Sequence, residues 1–291
     1  MTHDAHVADL ALGCHLNVVV TGLDDPALPA ALDALAAAGY SRVVLPPVDP
    51  DAIDVPALRE AFAARGLVPV PIAGQTPEAD VSSADAGVRA AGSAVLRRMV
   101  RLTADLGSDQ LNGVPYGQFG PPGGPTSADA LERSAREVGA VADEAAEAGV
   151  RMTFEVLNRY ETSALNTAAQ AVEYVAMSGS ANLRIHLDTF HMAVEEADMR
   201  AAVRDAVPLL GYLELGQSGR GHLASGSVDV AAVVATAVAA GYRGPIGIEA
   251  FSRGVLGLPA SDMLAIWREP YGDGLRLAAD AADLIRDAVR A

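Results

Sequence analysis

The chain has no lysine, so arginine supplies all 21 of the basic side chains among its 291 residues. Enzymes that form a Schiff base with a carbonyl substrate or with pyridoxal phosphate need a lysine amine. The sequence therefore excludes class I aldolase chemistry and pyridoxal-phosphate chemistry. Cysteine is almost as scarce, because Cys14 is the single one, and the chain cannot form an internal disulfide.

Positive charge as a whole is in short supply, because 37 acidic residues leave a formal net charge of −16 at pH 7. Such a charge repels the phosphates of nucleic acids and of anionic membrane surfaces. The apolar runs are interrupted well short of the ~20 residues that a membrane-spanning helix needs, and no basic segment followed by an apolar one opens the chain. We therefore expect a cytoplasmic protein that binds a small molecule, and neither a nucleic acid nor a membrane.

A repeated unit is present instead, in which an alanine-rich helical segment ends at glycine and passes into a short apolar strand. Gly39, Gly66 and Gly149 end three of these segments. Glycine suits the position because it adopts the left-handed conformation that ends many helices. The sequence predicts eight strands, near residues 10–17, 42–45, 67–70, 110–111, 150–155, 183–188, 210–215 and 245–249.

Alternation of strands and helices predicts an α/β fold, in which eight right-handed crossovers can close into a (β/α)₈ TIM barrel. Because no linker divides the chain, we predict a single TIM-barrel domain over residues 1–291. An open doubly wound sheet is the alternative, although residues 17–22 after the first strand contain no glycine-rich phosphate loop. The longest irregular segment, residues 113–126, is expected to cover the barrel mouth as a lid or to contact another subunit.

Acidic residues stand at the ends of four successive predicted strands, and the apolar residues that alternate with them would face the helices. Four unpaired carboxylates in a dry barrel mouth would strongly raise one another's pKa unless a cation neutralised them. An all-oxygen donor set favours Mn²⁺, with Mg²⁺ or Co²⁺ as alternatives, over thiolate-bound Zn²⁺. The alternative is that each acid caps a helix or pairs with arginine. The predicted ligands are Glu155, Asp188, Glu214 and Glu249, called the acid cluster below.

Two motifs are more specific: residues 155–162 read Glu-Val-Leu-Asn-Arg-Tyr-Glu-Thr, and residues 187–192 read Leu-Asp-Thr-Phe-His-Met. Gly-Gln-Ser-Gly-Arg-Gly at residues 216–221 and Gly-Ile-Glu-Ala-Phe at residues 247–251 follow. Over nearly its whole length the chain resembles the ketose 3-epimerases, the xylose isomerase-like TIM barrels that act on D-tagatose, D-psicose (allulose) and L-ribulose. The resemblance implies C3 epimerisation of an unphosphorylated ketose or keto-sugar by a homodimer or homotetramer.

The resemblance also implies residue roles. Glu155, Asp188 and Glu249 fall on metal-ligand positions, and Glu155 and Glu249 form the acid/base pair on opposite faces of the substrate's C3. The metal would acidify the C3 proton, one glutamate would remove it to give a cis-enediolate, and the other would return a proton from the opposite face. The positions implied to bind substrate are those of Glu161, His191 and Arg220.

Three residues depart from the family pattern. Glu214 stands where the family usually has histidine, so the site gains a negative charge, and we expect one of the four acids to hold a proton at neutral pH. Gln217 stands where glutamate is frequent, and Leu45 stands where many members have an acid. These departures concern the identity of the sugar more than the class of reaction.

Histidines and aromatics elsewhere are assigned structural roles. His186 faces inward by alternation and is predicted to be a hydrogen-bonded core residue. Either His15 or Cys14 is expected to face the mouth, with Cys14 acting as a small buried hydrophobe. Residues 261–291 are predicted to be helical, and Trp267 in that segment is expected to pack against a neighbouring subunit.

Four other functions are compatible with a barrel of this kind. A lyase that cleaves C-glycosides would act on 3-keto-glycosides and need a small partner subunit, whereas an aldose–ketose or inosose isomerase would move a different proton. A non-catalytic sensor would not need to retain both Glu155 and Glu249. A metal-dependent endonuclease would need more histidines and a basic surface. No basic cluster or glycine loop accompanies the acids, which favours an unphosphorylated substrate.

Overall fold

The computed structural model describes residues 10–291, in which nine parallel strands form one sheet surrounded by helices. No helix within that range is long and apolar enough to cross a bilayer. The strands are β1 (Leu12–His15), β2 (Arg42–Val44), β3 (Val68–Val70), β4 (Ile72–Gln75), β5 (Gln110–Gln118), β6 (Arg151–Val156), β7 (Leu183–Asp188), β8 (Leu210–Gly216) and β9 (Ile246–Glu249).

The sheet is a nearly closed barrel. Its strand order is β3-β2-β1-β9-β8-β7-β6-β5-β4, so β3 and β4 lie at the two ends, yet only Pro71 separates them in the chain. Proline has no N–H to donate to the ladder, but its carbonyl accepts from the Asn112 N–H at 3.0 Å. The two short strands thus form one broken strand of an eight-stranded barrel. The predicted (β/α)₈ TIM barrel is confirmed, and the open sheet is excluded.

Helices follow most strands, and polar side chains cap several of their N-termini. Asp85 accepts from the Gly87 and Val88 N–H groups, and Thr167 with Gln170 forms a capping box. The helices are α1 (Leu28–Ala37), α2 (Val55–Ala63), α3 (Ala86–Asp105), α4 (Ala128–Glu147), α5 (Ala168–Ser178), α6 (Thr189–Glu195), α7 (Met199–Ala206), α8 (Val230–Ala239), α9 (Arg253–Leu256), α10 (Ala260–Met263) and α11 (Gly274–Arg290).

Two apolar clusters lie on opposite faces of the sheet. The larger one lies between the strands and the helices and contains the apolar neighbours of the acids, as the alternation predicted: Met152, Phe154, Ile185, Leu187, Leu213, Leu215, Ile246 and Ile248. The smaller one consists of Val44, Val70 and Tyr212, with Ile72 packed against it. Alternation therefore directs residues 155, 188, 214 and 249 into the barrel, above the Tyr212 ring.

Close packing around Tyr212 makes Gly247 a sensitive position. A Cβ atom at Gly247 would overlap the Tyr212 hydroxyl and lie 2.5 Å from Cζ. We expect Gly247→Ala to lower the free energy of unfolding by about 1–3 kcal/mol, because an overpacked barrel interior must shift its strands. Gly74→Ala in β4 is the matched control, since nothing lies within 4 Å of its added Cβ. Equal unfolding midpoints of the two variants in urea would contradict this packing.

The structure corrects the predicted irregular segment. Residues 113–118 belong to β5, and only residues 119–126 form a loop. The glycines and prolines of this stretch indicated a loop, but the β4–β5 register is irregular between Ala73 and Gln75, and such irregular pairing tolerates proline. The loop lines a cavity of about 400 Å³ together with Asp80 and Thr162. Its role as a lid or subunit contact stays a prediction.

Two further boundaries differ from prediction. The first strand is shorter than expected, since a 3₁₀ turn at Leu16–Val18 follows β1. The C-terminal segment is not one helix, because α10 ends at Met263 and α11 begins at Gly274, where the Asp273 side chain caps it. Pro270 lies in the interruption and cannot donate a helical hydrogen bond. The predicted single domain over residues 1–291 extends to residues 1–9, which lie outside the described range.

Candidate active site

The acid cluster is assembled by four adjacent strands at the carboxyl end of the barrel. Glu155 is on β6, Asp188 ends β7, Glu214 is on β8 and Glu249 ends β9. Asp188 is paired with Glu214 across the β7–β8 ladder, and Glu249 is paired with Gly216. Asp188, Glu214 and Glu249 are buried, and the Glu155 side chain is 16% exposed. The structure thus brings the four predicted acids to one mouth.

The positive charge of Arg220 partly compensates the negative charge of two of these acids. Its Nη1 atom forms a short ion pair with Glu249 and lies 3.5 Å from Asp188 Oδ2. The guanidinium stacks 3.5 Å from the centroid of the Phe190 ring, with Phe251 on another side at 5.1 Å. Burial alone would raise the pKa of Glu249, but the charges of Arg220 and nearby histidines hold that pKa below its ordinary value. Glu249 is therefore ionised at neutral pH.

The other three carboxyls of the acid cluster have a raised pKa. Burial raises the pKa of Glu155 to about 7 and that of Asp188 to about 7. Burial, followed by the charges of Glu249 and Glu155, raises the pKa of Glu214 well above its ordinary value. The Oε1 atom of Glu214 has no hydrogen-bond partner. Without a cation, Glu214 is thus the acid that keeps a proton at neutral pH, which agrees with the expected extra proton.

His191 is oriented by the motif at residues 155–162. Its Nδ1 atom accepts from the Asn158 backbone N–H at 3.1 Å and from the Asn158 side-chain amide at 2.8 Å. The Nε2 atom must then carry the ring proton, and it lies 3.3 Å from Glu155 Oε1 and 3.7 Å from Asp188 Oδ2. The Asn158 amide also donates to Glu161 at 3.0 Å. The three predicted substrate-binding residues, Glu161, His191 and Arg220, therefore all lie beside the acid cluster.

Strand β1 contributes His15 to the same mouth. Its Nε2 atom lies 3.9 Å from Glu249 Oε1, whereas Cys14 is buried in the outer apolar cluster. Burial raises the pKa of the Cys14 thiol far above its usual range, so Cys14 is an unreactive hydrophobe, as predicted. Leu45 also packs in the outer cluster and does not face the acids.

Several residues that shape the site received no role from the sequence. Asn158 orients His191, Phe190 and Phe251 stack on Arg220, and the Tyr116 hydroxyl donates to the Glu155 carbonyl at 2.9 Å. Asn158 and Phe190 lie within the two specific motifs, which is the one signal that could have identified them. His186 faces inward and is buried as predicted, but neither of its ring nitrogens has a hydrogen-bond partner. The prediction of a hydrogen-bonded core histidine is therefore wrong.

Gln217 holds the loop that carries Arg220. Its amide nitrogen donates to the carbonyls of Leu223 and Val228, both at 3.0 Å, and its amide oxygen accepts from the N–H groups of Ser218 and Val228. The Gln217 carbonyl accepts from the Arg220 N–H at 2.7 Å. An amide is required here because the site needs both donors and acceptors.

We expect Gln217→Glu to lower the free energy of unfolding by about 2 kcal/mol or more. The carboxylate would lose two donors and face two buried carbonyl oxygens that are left unsatisfied. Gln170→Glu is the matched control, because the Gln170 side-chain oxygen only accepts, from Asn166 and Thr167. Urea unfolding of both variants measures this loss. An equally small loss of unfolding free energy at the two positions would contradict the proposed role of the Gln217 hydrogen bonds.

Comparisons with known proteins agree with this architecture. Residues 32–287 match the family model of the xylose isomerase-like TIM barrel. A ketose 3-epimerase of Arthrobacter globiformis is 38% identical over 282 residues, which cover 97% of this chain and 98% of that protein. An L-ribulose 3-epimerase of Mesorhizobium japonicum is 36% identical over 248 residues, covering 85% and 84%. The crystal structure of a D-allulose 3-epimerase from Methylomonas sp. has a TM-score of 0.90 and 32% identity, covering 96% and 98%.

Proposed function

The chain belongs to the xylose isomerase-like TIM-barrel family, and from this we propose that it is a divalent-metal-dependent isomerase that epimerises C3 of a ketose or keto-sugar. The observation that carries the proposal is the buried acid cluster at the carboxyl end of the barrel, with Glu155 and Glu249 on strands separated by two others. The named activities of its relatives support the reaction class and a small-molecule sugar as substrate.

The residues at the mouth fit a divalent cation. Three of the carboxyls have a raised pKa, and Glu214 Oε1 lacks a partner, so a cation would relieve their mutual repulsion. When bound, it supplies Lewis-acid polarisation of the substrate's C2 carbonyl and neighbouring hydroxyl. We propose Mn²⁺, with Mg²⁺ or Co²⁺ as alternatives, since carboxylate oxygens suit these ions. The proposed ligands are Glu155, Asp188, Glu214 and Glu249.

Two glutamates exchange the proton at C3. Ionised Glu249 accepts the C3 proton from one face of the sugar, and Glu155 delivers a proton to the other face of the cis-enediolate. The reverse reaction exchanges the two roles.

Three neighbouring side chains orient the sugar. The guanidinium of Arg220, held by its stack on Phe190, donates to oxygen charge that develops during the reaction. The Nε2 atom of His191, which carries the ring proton and lies 3.3 Å from Glu155 Oε1, can donate to a substrate hydroxyl, and Glu161 accepts from another. Within residues 10–291, Arg220 is the arginine that contacts the acid cluster, and its engagement by two carboxylates favours an unphosphorylated substrate.

A panel of free ketohexoses and ketopentoses tests the proposed function. We expect the Mn²⁺-loaded protein to interconvert C3 epimers, detected by chromatography, and to leave aldoses and inososes unchanged. Cleavage of a 3-keto-glycoside without turnover of any ketose would contradict the proposal and favour the C-glycoside lyase. Conversion of an aldose or inosose instead would favour an aldose–ketose or inosose isomerase.

We also propose that the protein assembles as a homodimer or homotetramer. Leu258, Met263 and Trp267 lie in the segment after β9 with 68%, 62% and 66% of their surfaces exposed, and such aromatic and apolar side chains are enriched at subunit interfaces. Light scattering coupled to gel filtration measures the mass in solution, and a monomer would contradict the assembly. Cytoplasmic localisation stays an expectation.

A further inference from the structure

We propose that His186 is a metal ligand of this chain, and that it forms with Glu155 and Glu214 a mixed nitrogen and oxygen position at the inner side of the acid cluster. The inference rests on the proposed function, because it concerns the cation of the same site. It adds an imidazole to a ligand set that the sequence predicts to be all oxygen.

The three side chains are already at coordinating separation. Each of Glu155, His186 and Glu214 offers one ligand atom, and these atoms lie within 4.8 Å of one another. The β6–β7 register places His186 beside Glu155, and His186 Nε2 lies 3.0 Å from Glu214 Oε2. His186 and Glu214 are each 2% exposed. Such separations are compatible with three donors of a common ion.

Hydrogen bonding leaves this trio incomplete. Both ring nitrogens of His186 lack a hydrogen-bond partner, although Nε2 lies 3.0 Å from Glu214 Oε2, and Glu214 Oε1 lacks a partner as well. Buried polar atoms are nearly always satisfied. The Tyr212 ring packs edge-on against His186 at 4.8 Å and 84°, which fixes the imidazole plane. A cation accepts a lone pair from the imidazole and from each carboxylate at once.

The two other histidines of the mouth cannot take this role. His15 already accepts the Asn17 N–H at its Nδ1 atom, at 3.3 Å. Glu155, Asp188 and His191 form another close trio, but the His191 Nδ1 lone pair is used by two N–H donors of Asn158. The neutral ring therefore keeps its proton on Nε2, the atom that faces the acids, and a protonated nitrogen has no lone pair for a metal. His186 is the histidine whose nitrogen is free.

The distribution of charge points the same way. Arg220 contacts Asp188 and Glu249, so that half of the acid cluster is partly compensated by the protein itself. Among the ion pairs of residues 10–291, Glu155 and Glu214 are contacted by histidine and by no arginine. The two carboxyls without an arginine contact are thus on the side of the cluster that His186 faces.

Pulsed EPR of the Mn²⁺-loaded protein tests the inference. We expect nitrogen modulation from a directly bound imidazole in the wild type and in His191→Gln, the matched control. His186→Gln should lose that modulation and bind Mn²⁺ at least tenfold more weakly by titration calorimetry. Modulation that is absent from the wild type, or is lost in His191→Gln and kept in His186→Gln, would overturn the assignment.

A measurement on the wild type covers the case in which His186→Gln does not fold. Anomalous diffraction from a Mn²⁺-soaked crystal locates the ion, and we expect it at bonding distance from a ring nitrogen of His186. An ion bound by carboxylates alone would overturn this inference and leave the proposed function intact. Failure of the wild type to bind any divalent cation would instead contradict the proposed function.

Discussion

Replacing Glu155 or Glu249 by glutamine is expected to lower kcat for C3 epimerisation by about 10²- to 10⁴-fold, the contribution of a positioned acid or base. Glutamine preserves the size of the side chain but cannot accept or release the C3 proton. Initial rates are measured at saturating Mn²⁺, so that weakened metal binding does not by itself account for the loss.

Glu132→Gln is the matched control for these variants, because Glu132 lies on the exposed face of α4, where it pairs with Arg136. Its rate should stay within about twofold of the wild type, as is usual for a surface ion pair of small energy. If Glu155→Gln or Glu249→Gln keeps a rate within tenfold of the wild type at saturating Mn²⁺, that residue is not an acid/base of the reaction.

Removal of the divalent cation is expected to abolish activity and to make stability fall as pH rises. Glu155 and Asp188 have ordinary pKa values of 4.5 and 3.8, and burial raises both to about 7. At pH values between the ordinary and the raised pKa, the folded protein binds more protons than the unfolded chain. The free energy of unfolding of the metal-free protein therefore decreases as pH rises toward 7 and stays low above it.

Binding of Mn²⁺ reverses this dependence, because the cation displaces the protons and binds ionised carboxylates best. We expect the rise in Tm on adding Mn²⁺ to be larger at about pH 8 than at about pH 5.5, and Glu155→Gln to reduce the difference. Thermal melts of chelator-treated protein with and without Mn²⁺ measure it. A Tm increase that is the same at both pH values would contradict the account of the acid cluster.

The barrel and its acids follow from local rules of the sequence. Glycine after each alanine-rich segment marked the helix ends, and the period-two alternation around residues 155, 188, 214 and 249 turned four acids inward. Both rules depend on backbone geometry within a few residues, which is why they survive in the structure. The same rules misread residues 113–118, since glycine and proline are also compatible with an irregular strand pair.

Side-chain partners between distant segments could not be predicted in this way. The ring proton of His191 depends on Asn158, which lies 33 positions earlier, and the loop of Arg220 depends on the hydrogen bonds of Gln217 across to Val228. The environment of His186 likewise results from register, because β6 brings Glu155 beside it. Alternation correctly predicted that His186 faces inward, but not that its nitrogens are unpartnered.

Deuterium incorporation tests the two-glutamate chemistry most directly. The Mn²⁺-loaded wild type is incubated with a convertible ketose in D₂O, and the position of the label in substrate and product is read by NMR. We expect deuterium at C3 of the new epimer, with none gained at C1. Epimer formation without C3 label, or label at C1 with an aldose as product, would contradict it.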